Sequence, residues 1–149
     1  MALDTVLLAL GPGDRDRIEA MTDAAVDIAG PAGATVVLVH VFTDEEYDSA
    51  VGRLDFADPA EAEPNEVARR HSTVRDIAAS LDEVGIDYRI AGRVGNHGEQ
   101  IVSMAEDEAA DLVIVGGRKR SPTGKAVFGS TAQQVMLESP APVTFVRGD

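Results

Sequence analysis

The stretch GGRKRSPTGKAVFGST, Gly116 to Thr131, gathers residue types that hold an anion. Arg118, Lys119, Arg120 and Lys125 fall within eight positions of a chain whose formal net charge is -13, and they are four of its thirteen basic residues. Gly116 and Gly117 precede them, and Gly129, Ser130 and Thr131 follow. Glycines let the backbone turn at little steric cost, so that a phosphate chain can come close. A helix opening at Ser130 adds first-turn amides that lack an intrahelical partner, and its dipole favours negative charge. Its hydroxyls and the basic side chains complete a cradle for phosphoryl groups. A plainer reading uses the same residues: Ser130 as an N-cap, the glycines as turn punctuation, the cations in surface ion pairs.

Two familiar phosphate motifs fail on spacing. The P-loop needs a glycine, four residues, then Gly-Lys and a hydroxyl residue; here Gly124 and Lys125 are followed by Ala126, and Lys119 stands at the first glycine position. The dinucleotide fingerprint fails after the first apolar run, because Gly11, Pro12 and Gly13 are followed by Asp14, Arg15 and Asp16. That short glycine pair reads as a turn.

No nucleophile or general base is placed beside the cradle, so the residues point to binding more than catalysis. His40, inside an apolar run, reads as a core histidine hydrogen-bonded to a neighbour, and His71 as an ordinary helix residue. His97 reads as a loop residue, with a phosphate or ribose contact as its functional alternative. No metal site is expected, and the absence of cysteine excludes disulfides and thiolate chemistry.

These residues need elements to position them. Five short apolar runs, Thr5 to Leu10, Ala34 to Phe42, Ile86 to Gly92, Asp111 to Gly117 and Pro142 to Gly148, read as strands. Four are nearly continuous in apolar residues, as strands buried on both faces of a parallel sheet must be. Helical spacing lies between them: Ile18, Met21, Ala25 and Ile28, ending at Gly30; Val67, Val74, Ile77, Leu81 and Val84, ending at Gly85; Ile101, Val102, Ala105 and Ala109; and Ala132, Val135 and Met136. The order predicts an open five-stranded parallel sheet, doubly wound with helices on both faces, with a ligand beyond the carboxyl ends of the strands where the strand order reverses. The acidic stretch Thr43 to Glu63 is the one long connection, expected to be a mobile lid or a surface insertion.

At 149 residues the chain reads as one domain. Its 26 Asp and Glu against 13 Lys and Arg repel nucleic acid and anionic lipid, so neither is an expected partner. With only two lysines, Lys119 and Lys125, it resembles proteins of salt-loving archaea, and low salt should destabilise it. The start MALDTVLLAL has neither a basic n-region nor an apolar run long enough to span a bilayer, which leaves a cytoplasmic location as the expectation.

Gly116, two residues, position 119, nine residues, then Gly129 and Ser130 resembles the nucleotide motif of the universal stress protein family: glycine, two residues, glycine, nine residues, glycine, serine or threonine. Val6 to Leu10, Leu38 to Val41, Gly95 to Gly117 and Ala141 to Arg147 are similar to the family too, so the resemblance covers nearly the whole chain. It implies a Rossmann-like fold of the adenine nucleotide alpha hydrolase kind and a stress-response module that binds ATP or another adenine nucleotide, with or without magnesium. By that resemblance Ala9, Leu10, Gly11, Val41, Val115, Gly116, Gly117, Lys119, Gly129, Ser130 and Thr131 form the nucleotide site. It also implies a homodimer paired through the last strand, at Val143, Thr144, Phe145 and Val146, whose open edge would otherwise be exposed.

Two positions depart from the pattern. Lys119 replaces the second glycine, putting a side chain where the backbone would pass close to phosphate. Gly11 stands where the family's nucleotide-binding members carry a base-contacting aspartate; Asp14, three residues on, is a substitute or an ordinary first-turn acid. The departures keep a second function open, a member that binds no nucleotide and acts through an unknown protein partner. An ATP-using ligase or pyrophosphatase is disfavoured, since GPGDRD after the first run is not the SGGxD-type loop such enzymes use.

Overall fold

The computed structural model describes residues 2–54, 58–118 and 129–148. Five parallel strands, β1 (Thr5–Leu10), β2 (Thr35–Phe42), β3 (Tyr88–Val94), β4 (Leu112–Arg118) and β5 (Val143–Gly148), lie in the order β3-β2-β1-β4-β5. The chain steps outward from β1 to β3, then returns to the other side of β1 to lay down β4 and β5. The order therefore reverses between β1 and β4, which places the binding crevice of such a sheet at their carboxyl ends.

Both faces are covered, which is why the runs are continuously apolar. Val6, Leu8 and Leu10 of β1 face one way, into a core shared with α1 (Ile18–Ala32) and α4 (Ser72–Glu83). Leu7 and Ala9 face the other, toward α5 (His97–Asp107) and α6 (Ser130–Glu138). The doubly wound parallel sheet expected from the runs is the observed fold.

Several boundaries differ from the sequence reading. Helix α1 does not stop at Gly30 but runs through Gly30 and Pro31, and closes at Gly33, whose φ of 67° is the left-handed conformation glycine adopts without strain. Gly85, with φ of 73°, does follow the end of α4, but Val84 is exposed, not part of the core face. Helix α5 ends at Asp107, and Ala109 lies beyond it with φ of 48°.

The acidic connection is the larger correction. Residues Asp44–Arg53 form a helix, α2, and Pro64–Arg70 another, α3. Thr43 and Glu46 make a reciprocal capping box: the Thr43 hydroxyl accepts from Glu46 N–H at 3.2 Å, and Glu46 accepts from Thr43 N–H at 2.8 Å. Phe42, Ala50, Val67 and Ala68 then bury a small core of their own against Tyr47, Leu54 and Ile90. Its described part is thus an ordered, packed segment. The single helix expected across Val67 to Val84 is two, because the backbone at His71 is extended (ψ 132°).

Candidate functional site at the carboxyl ends of β1 and β4

Strand β1 ends at Leu10, and the extended backbone of Gly11 caps a 3-10 turn, Pro12–Arg17, leading into α1. Within that turn the Asp14 carboxylate folds back, its Oδ2 accepting the Gly11 N–H at 2.8 Å. Its Oδ1 lies 3.3 Å from Nη1 of Arg17, which also donates to the Gly13 carbonyl. Both side chains are nearly withdrawn from solvent, 14% and 11% exposed. Burial raises the Asp14 carboxyl above the usual aspartate range, outweighing the Gly11 N–H and the positive fields of Arg17 and His97 that lower it. Nε of Arg17 is buried with no hydrogen-bond partner.

This pair sits against β4. A Cβ placed on Gly116 would lie 2.6 Å from Cδ of Arg17, 2.8 Å from Sδ of Met21 and 3.0 Å from Oδ1 of Asp14. On the opposite face a Cβ on Gly117 would lie 2.6 Å from the Phe145 ring. Neither glycine turns the chain: both are inside β4, paired with Val146 and Arg147 of β5, and neither has positive φ. The expectation that they end the strand is corrected; close packing on both faces requires them.

The other expected site residues are distributed around this crevice. Ala9, Leu10, Val41 and Val115 have buried side chains, so what they can offer a ligand is backbone at the strand ends. Gly11 carries no carboxylate, but Asp14 brings one to its amide. Gly129 is the N-cap of α6 with no side-chain cap bond, and Ser130 and Thr131 open the helix, Gly129 and Ser130 exposed and Thr131 half-buried. The N-cap is therefore Gly129, not Ser130. Helix α6 returns antiparallel to the strands, so this end faces the same side as Gly11 and Gly116. Arg118 continues β4, paired with Gly148, while Lys119, Arg120 and Lys125 lie outside the described residues.

His40 is the core residue its apolar run implies, while His71 and His97 differ from their sequence reading. His40 is 2% exposed and stacks on Phe42 with ring centroids 4.3 Å apart, but its Nδ1 has no hydrogen-bond partner. Its ring lies 4.5 Å from that of His71, which is no ordinary helix residue: it caps α4, its Nδ1 accepting the Thr73 N–H at 3.3 Å. His97 is the first residue of α5 and contacts Glu46. Among the described residues no group of three His, Asp or Glu side chains is placed to hold a metal ion, and no helix is long and apolar enough to cross a membrane.

Sequence reasoning missed Arg17 altogether. The signal was available as Asp14 and Arg17 at i, i+3 in GPGDRDR, but nothing local shows that β4 brings a glycine against them.

Residues 3–147 match the model of the universal stress protein family. The chain is 35% identical over 79 residues to a universal stress protein of Mycolicibacterium smegmatis, spanning 52% of this chain and 61% of that one. Its fold is similar to that of a universal stress protein solved in complex with cAMP, with a TM-score of 0.68 and 20% identity over the full length of both chains. It is similar as well to the Archaeoglobus fulgidus universal stress protein in complex with dAMP, at a TM-score of 0.65 and 18% identity, covering 99% of this chain and 100% of that one. With the sheet order and a family match spanning almost every residue, this chain belongs to the universal stress protein family.

Proposed function

We propose that this protein binds an adenine nucleotide, AMP or ATP with or without magnesium, at the carboxyl ends of β1 and β4, and acts as a binding module in a stress response. The observation that carries the reading is the start of α6: Gly129 provides no side-chain cap, and two hydroxyl residues follow it at the side of the sheet where the strand order reverses. Amide N–H groups at such a helix start donate to phosphate oxygens, and Ser130 and Thr131 add hydroxyl donors. The basic residues 118–125 supply counter-charge in a chain otherwise dominated by acids. The cAMP and dAMP complexes of structurally similar proteins support adenine as the base. Backbone at Leu10, Gly11 and Val41 would flank the ring.

In this reading the chain is one domain, acts in the cytoplasm of a salt-adapted cell, and is a homodimer through the outer edge of β5. Light scattering in molar salt should give twice the chain mass, and Thr144→Lys, a charge on that edge, should give the monomer.

The protein-contact alternative has one observation in its favour: packing alone accounts for Gly116 and Gly117. Isothermal titration with ATP, ADP and AMP in molar salt separates the two. The nucleotide reading expects binding, weakened at least tenfold in Ser130→Ala and altered in Lys119→Gly; no heat with any of the three leaves the protein-contact function.

A further inference from the structure

We infer that Arg17 is a switchable counter-cation, paired with Asp14 and able to exchange it for the phosphate of a bound adenine nucleotide. The inference rests on the nucleotide reading above and adds to it a residue outside the glycine-rich motif.

Arg17 is only partly satisfied where it stands, donating to the Gly13 carbonyl. Its Nε is buried without a partner, and its ion pair with Asp14 is loose, at 3.3 Å. A buried cationic N–H left unpaired is unfavourable, and a planar guanidinium gains most from two parallel bonds to one anion. Asp14 is the less dependent partner, because the Gly11 amide already holds its other oxygen at 2.8 Å. Exchanging Asp14 for a phosphate would therefore improve the arginine's bonding, with the Gly11 amide still holding one oxygen of the aspartate.

The position suits that exchange. Arg17 crosses the end of β4 over Gly116 and the end of β5 over Gly148, and a Cβ on either glycine would collide with its side chain. Strands β4 and β5 thus leave room for this one side chain. The guanidinium is anchored beside Gly13 and Asp14, in the turn that follows β1. An open groove of about 500 Å³, lined by Asp16, Glu19, Ala20, Asp23, Arg147 and Gly148, borders the same side chain.

The test compares adenosine with AMP, so that base and phosphate are read separately. Asp14→Asn keeps an oxygen for the Gly11 amide but removes the charge that holds Arg17. Titration of the full chain should give AMP binding at least tenfold weaker in Arg17→Gln, with adenosine affinity within twofold of the parent. Asp14→Asn should bind AMP about three- to tenfold tighter, again with adenosine unchanged. A merely structural role predicts the opposite pattern, with both variants losing adenosine and AMP together. Full AMP affinity in Arg17→Gln, or weaker AMP binding in Asp14→Asn, overturns the inference while leaving the nucleotide reading intact; no AMP binding by the parent overturns both. If Arg17→Gln does not fold, the sign of the Asp14→Asn effect decides alone.

Discussion

His97 and Glu46 meet across the top of the sheet: Nε2 of the first residue of α5 lies 2.8 Å from Oε1 of Glu46, the same oxygen that accepts the Thr43 amide. One carboxylate thereby closes the capping box of α2 and ties it to α5. Partial burial pushes the Glu46 carboxyl up, but the Thr43 N–H and then His97 more than offset it, leaving its pKa below the usual glutamate value. Glu46→Ala should cost about 1 to 2 kcal/mol, measured by urea unfolding at neutral pH. Because the folded pKa is depressed, this contribution is present above the unfolded value near 4.5 and is lost as pH falls through the folded one. An unchanged midpoint would mean that the acidic segment is as loosely held as its composition implies.

Acid sensitivity should begin earlier, at His40. Burial, then the neighbouring His71, pushes its pKa down to about 3 from 6.5. Between those values the unfolded chain binds a proton that the folded chain refuses, so stability falls with pH by about 1.4 kcal/mol per unit for this group. His71 is also depressed, first by burial and then by Arg53 and Arg15, and contributes in the same direction. His40→Leu also removes the unpartnered Nδ1, so it should flatten the stability profile between pH 6 and 5 and leave neutral stability nearly unchanged. Chemical denaturation at several pH values reads this out, and an unaltered slope would remove His40 from the account.

The β3 edge is closed by the chain itself. Gly92 N–H donates to Oδ1 of Asn65 at 2.8 Å, and a Cβ on Gly92 would run into the Pro64 carbonyl. A backbone atom cannot move aside as a side-chain tip can, so Gly92→Ala should destabilise by about 3 kcal/mol. Asn65→Ala, which strands the edge amide, should cost about 1 kcal/mol. Thermal melts of both, ranked in that order, check the assignment.

A net charge of -13 on one small chain repels itself, and added salt screens that repulsion. The melting temperature should rise steadily from 0.05 M to 2 M KCl. A flat or falling melting curve would count against adaptation to high salt.

How much of this was legible in advance varies with the range of the cause. The capping box of α2 was written in TDEE, Thr43 to Glu46, but a run of acids suggested a solvated lid. Its helix was overlooked because the apolar residues it covers, Phe42, Val67 and Ile90, come from three separate elements. Gly30 looked like a helix stop, although Gly33, three residues later, is where the chain turns left-handed.

The sequence alone determined the class of fold, because burial on both faces forces each strand to be apolar throughout, and that pattern is written residue by residue. It also located the only dense cluster of positive charge. Tertiary structure alone decided that β4 lies beside β1, and so that Gly116 makes room for Asp14 and Arg17, about a hundred residues earlier in the chain. Strand order is a non-local choice, made by the packing of whole helices on the sheet, and no local spacing encodes it.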